Sequence, residues 1–301
     1  MNNTDAWSLY WQGSHQESCI ANKGFEDQKI LSDIWHELAL SIDPNCTILD
    51  LATGNGSVPN SLLKFSEKFK ITGVDYANIN PKKYIEKNSL LDLVDFIPNI
   101  DITTLPFVDN QFDIITSQFG LEYSMLDISI HEFVRVLKPK GKFFFVMHHT
   151  KSEIVAPAHN KIKEFNFLRK SDLLILFEAF LNGTKSLNEL DLLGQKIVED
   201  LSVNKSQEVT GQIFNAINKL IELKRQGEDI SKLNQYFSDM KLRFYAEQSR
   251  LQQLISASLS ESEMKALCNT LENIGTIVTF QAIILPDSVD VLGWKVSGMK
   301  L

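Results

Sequence analysis

The 301-residue chain has little cysteine and no surplus of positive charge, and each shortage excludes a class of protein. Cys19, Cys46 and Cys268 are odd in number and far apart, so they fit neither a disulfide framework nor a zinc-ligand spacing. His15 lies four positions before Cys19 and could share a helix face with it, but a metal needs more ligands than that pair supplies. Lys and Arg number 30 against 38 Asp and Glu, a formal net charge of −8. Nucleic-acid binding draws on clustered Lys and Arg, so no nucleic-acid partner is expected. No apolar run approaches the ~20 residues of a membrane span, and no membrane partner is expected either. The polar, Asn-containing start lacks the apolar core of a signal peptide, so a reducing cytoplasm is the expected compartment. Repeat periodicity is absent.

The stretch from Ile48 to Val58 organises the remainder. Ile48-Leu49-Asp50-Leu51 reads as a buried parallel strand, and Gly54-Asn55-Gly56 as the tight turn that follows it. Glycine permits positive φ and close approach of a ligand to the backbone. Ser57 is a candidate N-cap, Pro59 suits a first helical turn, and Leu62, Leu63, Phe65 and Phe69 follow at helical spacing. Strand, glycine turn and helix open a nucleotide-binding α/β unit, with the ligand at the carboxyl end of the strand. A dinucleotide fingerprint would need a third glycine where Pro59 stands. The second strand, Ile71 to Asp75, ends in an acid roughly 20 residues past the glycines, where a carboxylate can meet a ribose diol. Asp101 follows Phe96-Ile97. A fourth strand runs from Gln111 to Ser117, and Arg135 to Gly141 closes a helix and turns into a fifth strand, Lys142 to Met147.

In order and spacing, ILDLATGNG, GVDYA, the segment from Asp101 to Phe107, QFDIITSQF and RVLKPKG resemble a class I S-adenosylmethionine-dependent methyltransferase, of the type 11-like small-molecule kind. The resemblance implies a three-layer, Rossmann-like α/β fold with a seven-stranded, mostly parallel sheet and an antiparallel last strand. It implies S-adenosylmethionine as cofactor. Asp50 would lie near the amino end of its methionine moiety, and Ala52, Thr53, Gly54, Asn55 and Gly56 would form the turn beneath it. Asp75 would hold the ribose hydroxyls, and Tyr76 would lie against the adenine face. Asp101, with the backbone of Ile102, would address the adenine amine, and Gln118 would face the cofactor. Lys140 stands where the family usually has a second glycine, which concerns a turn conformation only.

Trp7, Tyr10 and Trp11 share one helical face; similar segments in the family close over the cofactor as a lid, and packing on the core is the alternative. Glu122 and Tyr123, in the loop after the fourth strand, are candidates for contacting the substrate; a helix start with Glu122 at its positive end is the alternative. Tyr123 is also a candidate for catalysis. His148-His149 ends the fifth strand, where alternation lets at most one ring enter the cleft. His149 is the candidate base, against a structural histidine. An Asn/Asp-Pro-Pro-Tyr motif is absent, which disfavours methylation of base amines.

From Lys151 to Thr270 the signals become helical. Ser171 to Leu181 ends at Asn182-Gly183, and capping boxes start at Ser186 and Ser260. Residues 1–150 are expected to form a lid plus cofactor core, 151–270 a helical insertion, and 271–301 a strand hairpin completing the sheet. The insertion is read as a cap over a small-molecule substrate; a homodimer interface or a stabilising element is the alternative. The expected activity is methyl transfer to an O, N or C nucleophile of a small molecule. The alternatives are a protein or RNA acceptor, a nicotinamide-dependent oxidoreductase, or a cofactor-binding subunit without catalysis.

Overall fold

The structure, a computed structural model, describes residues 3–13, 25–85, 90–201, 207–286 and 288–301. His15 and Cys19 lie outside the described residues. The chain divides into two compact units, Asn2–Ala156 with Gln253–Leu301, and Pro157–Gln252. In chain order the first carries α1 (Asn3–Trp11), α2 (Phe25–Ser41), β1 (Thr47–Leu51), α3 (Ser57–Leu63), β2 (Lys70–Asp75), α4 (Pro81–Tyr84), β3 (Asp95–Pro98), β4 (Phe112–Gln118), α5 (Leu126–Val136) and β5 (Leu137–Met147). Then come α6 (Val155–Lys170), α7 (Leu173–Leu181), α8 (Leu187–Leu201), α9 (Glu208–Arg225) and α10 (Ile230–Ala257). The chain closes with α11 (Glu261–Asn273), β6 (Thr276–Ile284) and β7 (Val291–Lys300). The helix α11, which the sequence groups with the insertion, belongs to the sheet unit.

The sheet has seven strands in the order β3-β2-β1-β4-β5-β7-β6. Every pairing from β3 to β5 is parallel, and β7 runs against both of its neighbours. The central strand β1 places Ile48, Leu49 and Leu51 fully out of solvent, as a strand covered on both faces must. From β1 the order proceeds to β2 and β3 on one side and to β4 and β5 on the other. That reversal opens a crevice at the carboxyl ends of β1 and β4.

Two local features depart from the sequence reading. The helix α3 starts at Ser57 and ends at Leu63, so Ser57 is not its cap; Gly56 is, with φ 81° and no side-chain cap bond. A Cβ at Gly56 would come within 2.8 Å of the Phe96 ring, so no capping side chain fits there. Strand β5 begins at Leu137 rather than Lys142: Leu137 pairs with Phe112 and Lys142 with Ile114, and the residues between bulge out. In that bulge Lys140 has φ 62°, the left-handed conformation that a glycine would take more easily.

The helical unit has its own core. Phe177 packs edge-on to Phe237 at 5.1 Å, and Phe165 lies 4.8 Å from Phe244. Ile213, Ile217, Leu220 and Ile221 form the buried stripe of α9. Buried Glu164 accepts both the N–H and the hydroxyl of Thr210, satisfying donors in the first turn of α9. Lys224 donates to the carbonyls of Phe180 and Leu181 at the end of α7. Among the described residues no helix is long and apolar enough to cross a membrane.

Candidate active site

A cavity of about 270 Å³ opens at the carboxyl ends of the sheet, lined from β1, β2, β4 and the turns after them. Asp50, Ala52, Thr53, Asp75, Tyr76, Asp101, Ile102, Gln118, Tyr123 and Trp11 all reach it, as the sequence anticipates.

Each acid is held differently. Asp50 is 1% exposed and accepts the Thr116 hydroxyl at 2.7 Å, a bond from β4 to β1. Burial pushes its carboxyl up to about 7. Asp75 is buried too; its oxygens accept the N–H groups of Gly54 and Ala77, both at 2.8 Å. Burial raises it to about 6 against the opposing pull of those bonds. Asp101 sits exposed at the rim and accepts the backbone N–H and hydroxyl of Thr103, so it caps a short turn while lining the cavity. Arg135 anchors the segment beyond that turn, donating to the carbonyls of Leu105 and Phe107 and to Glu132 and Asp109.

The glycine turn works through its backbone. Gly54 has φ 53°, and a methyl group on it would overlap the indole of Trp11. Asn55 donates to the carbonyl of Trp11 at 3.0 Å. Gly54, Asn55 and Gly56 therefore do not line the cavity; they shape the turn and seat α1 upon it. Trp7 stacks on Trp11, meets Tyr123 edge-on at 5.3 Å and donates to Gln253 at 3.0 Å. The indole of Trp35 donates to the side-chain oxygen of Gln118 at 2.6 Å. Indole is a donor only, so the amide NH2 is what Gln118 can offer to the cavity.

Neither histidine lines the cavity, against the expectation for His149. His149 does not line the cavity: its Nδ1 accepts the N–H of Lys151, and its ring packs on Trp294 at 4.5 Å. Its position is that of a structural histidine. His148 is fully buried behind the cavity wall, with Nε2 3.2 Å from the Tyr123 hydroxyl. Burial lowers it to about 3, so the ring is neutral. Glu122 also leaves the cavity: it is 4% exposed, accepts the backbone N–H of His148 at 2.7 Å, and is raised to about 7 by burial. Phe119 stacks on the His148 ring at 4.5 Å from a backbone with φ 53°, rare for so bulky a residue. Ala52, at φ 52°, faces Gly120, where an added methyl would overlap its own. Two left-handed non-glycine residues thus flank the crevice, as strained backbone at functional sites does.

Sequence reasoning missed His148, Phe119 and Gln253. Strand alternation limits the cleft to one histidine but does not say which. Gln253 stands 246 positions from its partner Trp7, and no local pattern links them.

Among the described residues no three His, Cys, Asp or Glu side chains converge as a metal site. The arrangement suits a cationic nucleoside instead. Buried carboxylates can complement positive charge, Asp101 and an exposed Tyr76 line the cavity rim, and the Trp11 ring covers the turn.

Comparison with known proteins agrees. Residues 49–145 match the family described as methyltransferase domain. The match covers about a third of the chain, the segment that carries β1 to β5 and the glycine turn. The chain is similar to the ubiquinone/menaquinone biosynthesis C-methyltransferase UbiE of Bartonella henselae, 38% identical over 104 residues, 32% of this chain and 38% of the relative. It is also similar to UbiE of Psychromonas ingrahamii, 28% identical over 179 residues, 57% of this chain and 65% of the relative. The matches thus span between about a third and two thirds of these relatives' lengths. Among solved structures, the plantazolicin methyltransferase BpumL in complex with SAH aligns with TM-score 0.45 and 13% identity, covering 92% of this chain and 83% of that one. A SAM-dependent methyltransferase from Aquifex aeolicus aligns with TM-score 0.35 and 20% identity, covering 50% and 76%.

Proposed function

We propose that the protein transfers a methyl group from S-adenosylmethionine to a small-molecule acceptor with a flat apolar face. The observation that carries this reading is the convergence of Asp50, Asp75 and Asp101 on one cavity whose glycine turn lies beneath Trp11. Asp75 would receive ribose hydroxyls on the lone pairs its two backbone bonds leave over. Asp50 supplies negative charge toward the amino end of the methionine moiety. Tyr76 and Ile102 bracket the adenine. When bound, S-adenosylmethionine supplies a methyl group on a sulfonium that is already a good leaving group. The residues of this chain then have two tasks, to place the acceptor in line and to keep water out. Trp7, Tyr123 and Met125 form the aromatic and thioether wall that would do both. The similarity to UbiE, a ubiquinone/menaquinone biosynthesis C-methyltransferase, supports an aromatic acceptor.

Incubation of the full chain with S-adenosylmethionine carrying a labelled methyl group and a cell extract tests the proposal. Label is expected in the low-mass organic fraction. Label confined to protein or RNA would contradict a small acceptor.

A further inference from the structure

Tyr123 is the hydroxyl of the aromatic wall, and its partner is unusual. The Tyr123 oxygen lies 3.2 Å from Nε2 of His148, a ring with no solvent exposure. The ring is held on several sides. Phe119 stacks on it with an interplanar angle of 15°, Glu122 accepts the His148 backbone N–H, and the His148 carbonyl accepts the N–H of Leu259. Tyr123 and Glu122 are titratable groups that face the ring among the described residues, the Glu122 Oε1 lying 4.0 Å from Nε2. A neutral imidazole carries one acceptor nitrogen and one donor nitrogen, and a phenol can donate to the former.

We propose that His148 is a positioning residue that fixes the hydrogen-bond polarity of the acceptor site. Its Nε2 accepts the hydrogen bond of the Tyr123 hydroxyl, which keeps its proton, so the phenol oxygen turns lone pairs toward the cavity. The site then selects acceptors that present an O–H or N–H beside the atom to be methylated, and disfavours the same molecules when that group is blocked. The proposal rests on the methyltransferase reading above and adds its specificity. Burial supports it: an imidazole kept neutral has an acceptor nitrogen at every physiological pH. So does the strain at Phe119, since a bulky residue at φ 53° keeps its ring over His148 only because the surrounding structure requires it. A site built to satisfy a substrate hydroxyl discriminates strongly against analogues that lack it, by orders of magnitude in favourable cases.

The test uses the full chain loaded with S-adenosylhomocysteine, the demethylated cofactor. Nitrogen-detected NMR of imidazole-labelled protein reads the state of His148 Nε2 without any acceptor. An unprotonated Nε2 is expected, and a protonated one overturns the proposal. Quenching of tryptophan fluorescence then compares 2-naphthol with 2-methoxynaphthalene as probes. The naphthol is expected to bind at least about tenfold tighter, as one satisfied hydrogen bond would give. Tyr123→Phe and His148→Leu should erase that preference, and His148→Gln, whose carbonyl can accept the phenol proton, should retain it. Equal binding of the two probes, binding of neither, or a preference that survives Tyr123→Phe overturns the proposal. Failure of S-adenosylhomocysteine itself to bind overturns instead the cofactor reading on which it stands.

Discussion

The carboxylate of Asp75 accepts the backbone N–H of Gly54 at 2.8 Å, joining the end of β2 to the turn after β1 across 21 positions of sequence. The same carboxylate accepts Ala77 through its other oxygen. One side chain therefore sets the shape of two strand ends and lines the cavity.

Asp75→Asn should weaken binding of S-adenosylhomocysteine by about 2 kcal/mol, roughly 30-fold. An amide has one acceptor oxygen and must turn its NH2 toward one of the two backbone donors. Calorimetric titration of the variant checks this, and an unchanged affinity would refute the ribose role.

The pH dependence of stability has a definite sign. Asp50 and Asp75 rise from an ordinary 3.8 to about 7 and about 6 because burial penalises their charge. The folded protein therefore keeps protons that the unfolded chain gives up between pH ~4 and ~7. Their favourable contribution is complete below about pH 4 and is lost as pH rises through about 6 to 7. His148, lowered from 6.5 to about 3, works the other way, its contribution falling away below about pH 6.5. Asp50→Asn isolates one carboxylate. Its melting temperature should match the parent near pH 4 and exceed it increasingly up to pH 8, provided no cofactor is bound. A difference independent of pH would contradict this assignment.

Asn55→Ala removes the side chain that holds the Trp11 carbonyl. Hydrogen exchange across Asn3–Trp11 should accelerate, and cofactor affinity should fall by about tenfold, the scale of one buried hydrogen bond. If α1 keeps its protection, the seat of Trp11 lies elsewhere.

Lys140→Gly should stabilise the protein by about 0.5–1 kcal/mol. Glycine relieves the left-handed backbone at φ 62°, and its greater freedom in the unfolded chain offsets part of that gain. Thermal unfolding reads this directly, and a loss of stability would mean that the Lys140 side chain contributes more than the strain costs.

What the sequence made legible follows from the range of the interactions involved. The strands from Ile48 to Met147 are short apolar runs closed by glycine or acid, so local pattern alone places them, and the capping box at Ser260 is bonded in both directions. The three acids were legible by position: Asp75 ends β2, Asp50 is one residue short of the end of β1, and Asp101 follows β3. The starts of β5 at Leu137 and of α3 at Ser57 were misplaced because the first rests on pairing with Phe112 and the second on a left-handed Gly56 packed against Phe96, partners distant in the chain. His148 was passed over for His149 because register past the end of β5 is set by Val146 bonding to Phe119 on the neighbouring strand. Glu122 was read as a substrate contact rather than as a buried group outside the cavity, since its partner is a backbone N–H that no motif reveals.

The most direct test of the central claim is isothermal titration of the full chain with S-adenosylhomocysteine near neutral pH, in parent and Asp75→Asn forms. A single site in the micromolar range, weakened roughly 30-fold by the substitution, is the predicted result. Absence of heat with the parent protein, or equal binding by both forms, would contradict a cofactor held across the ends of β1 and β2.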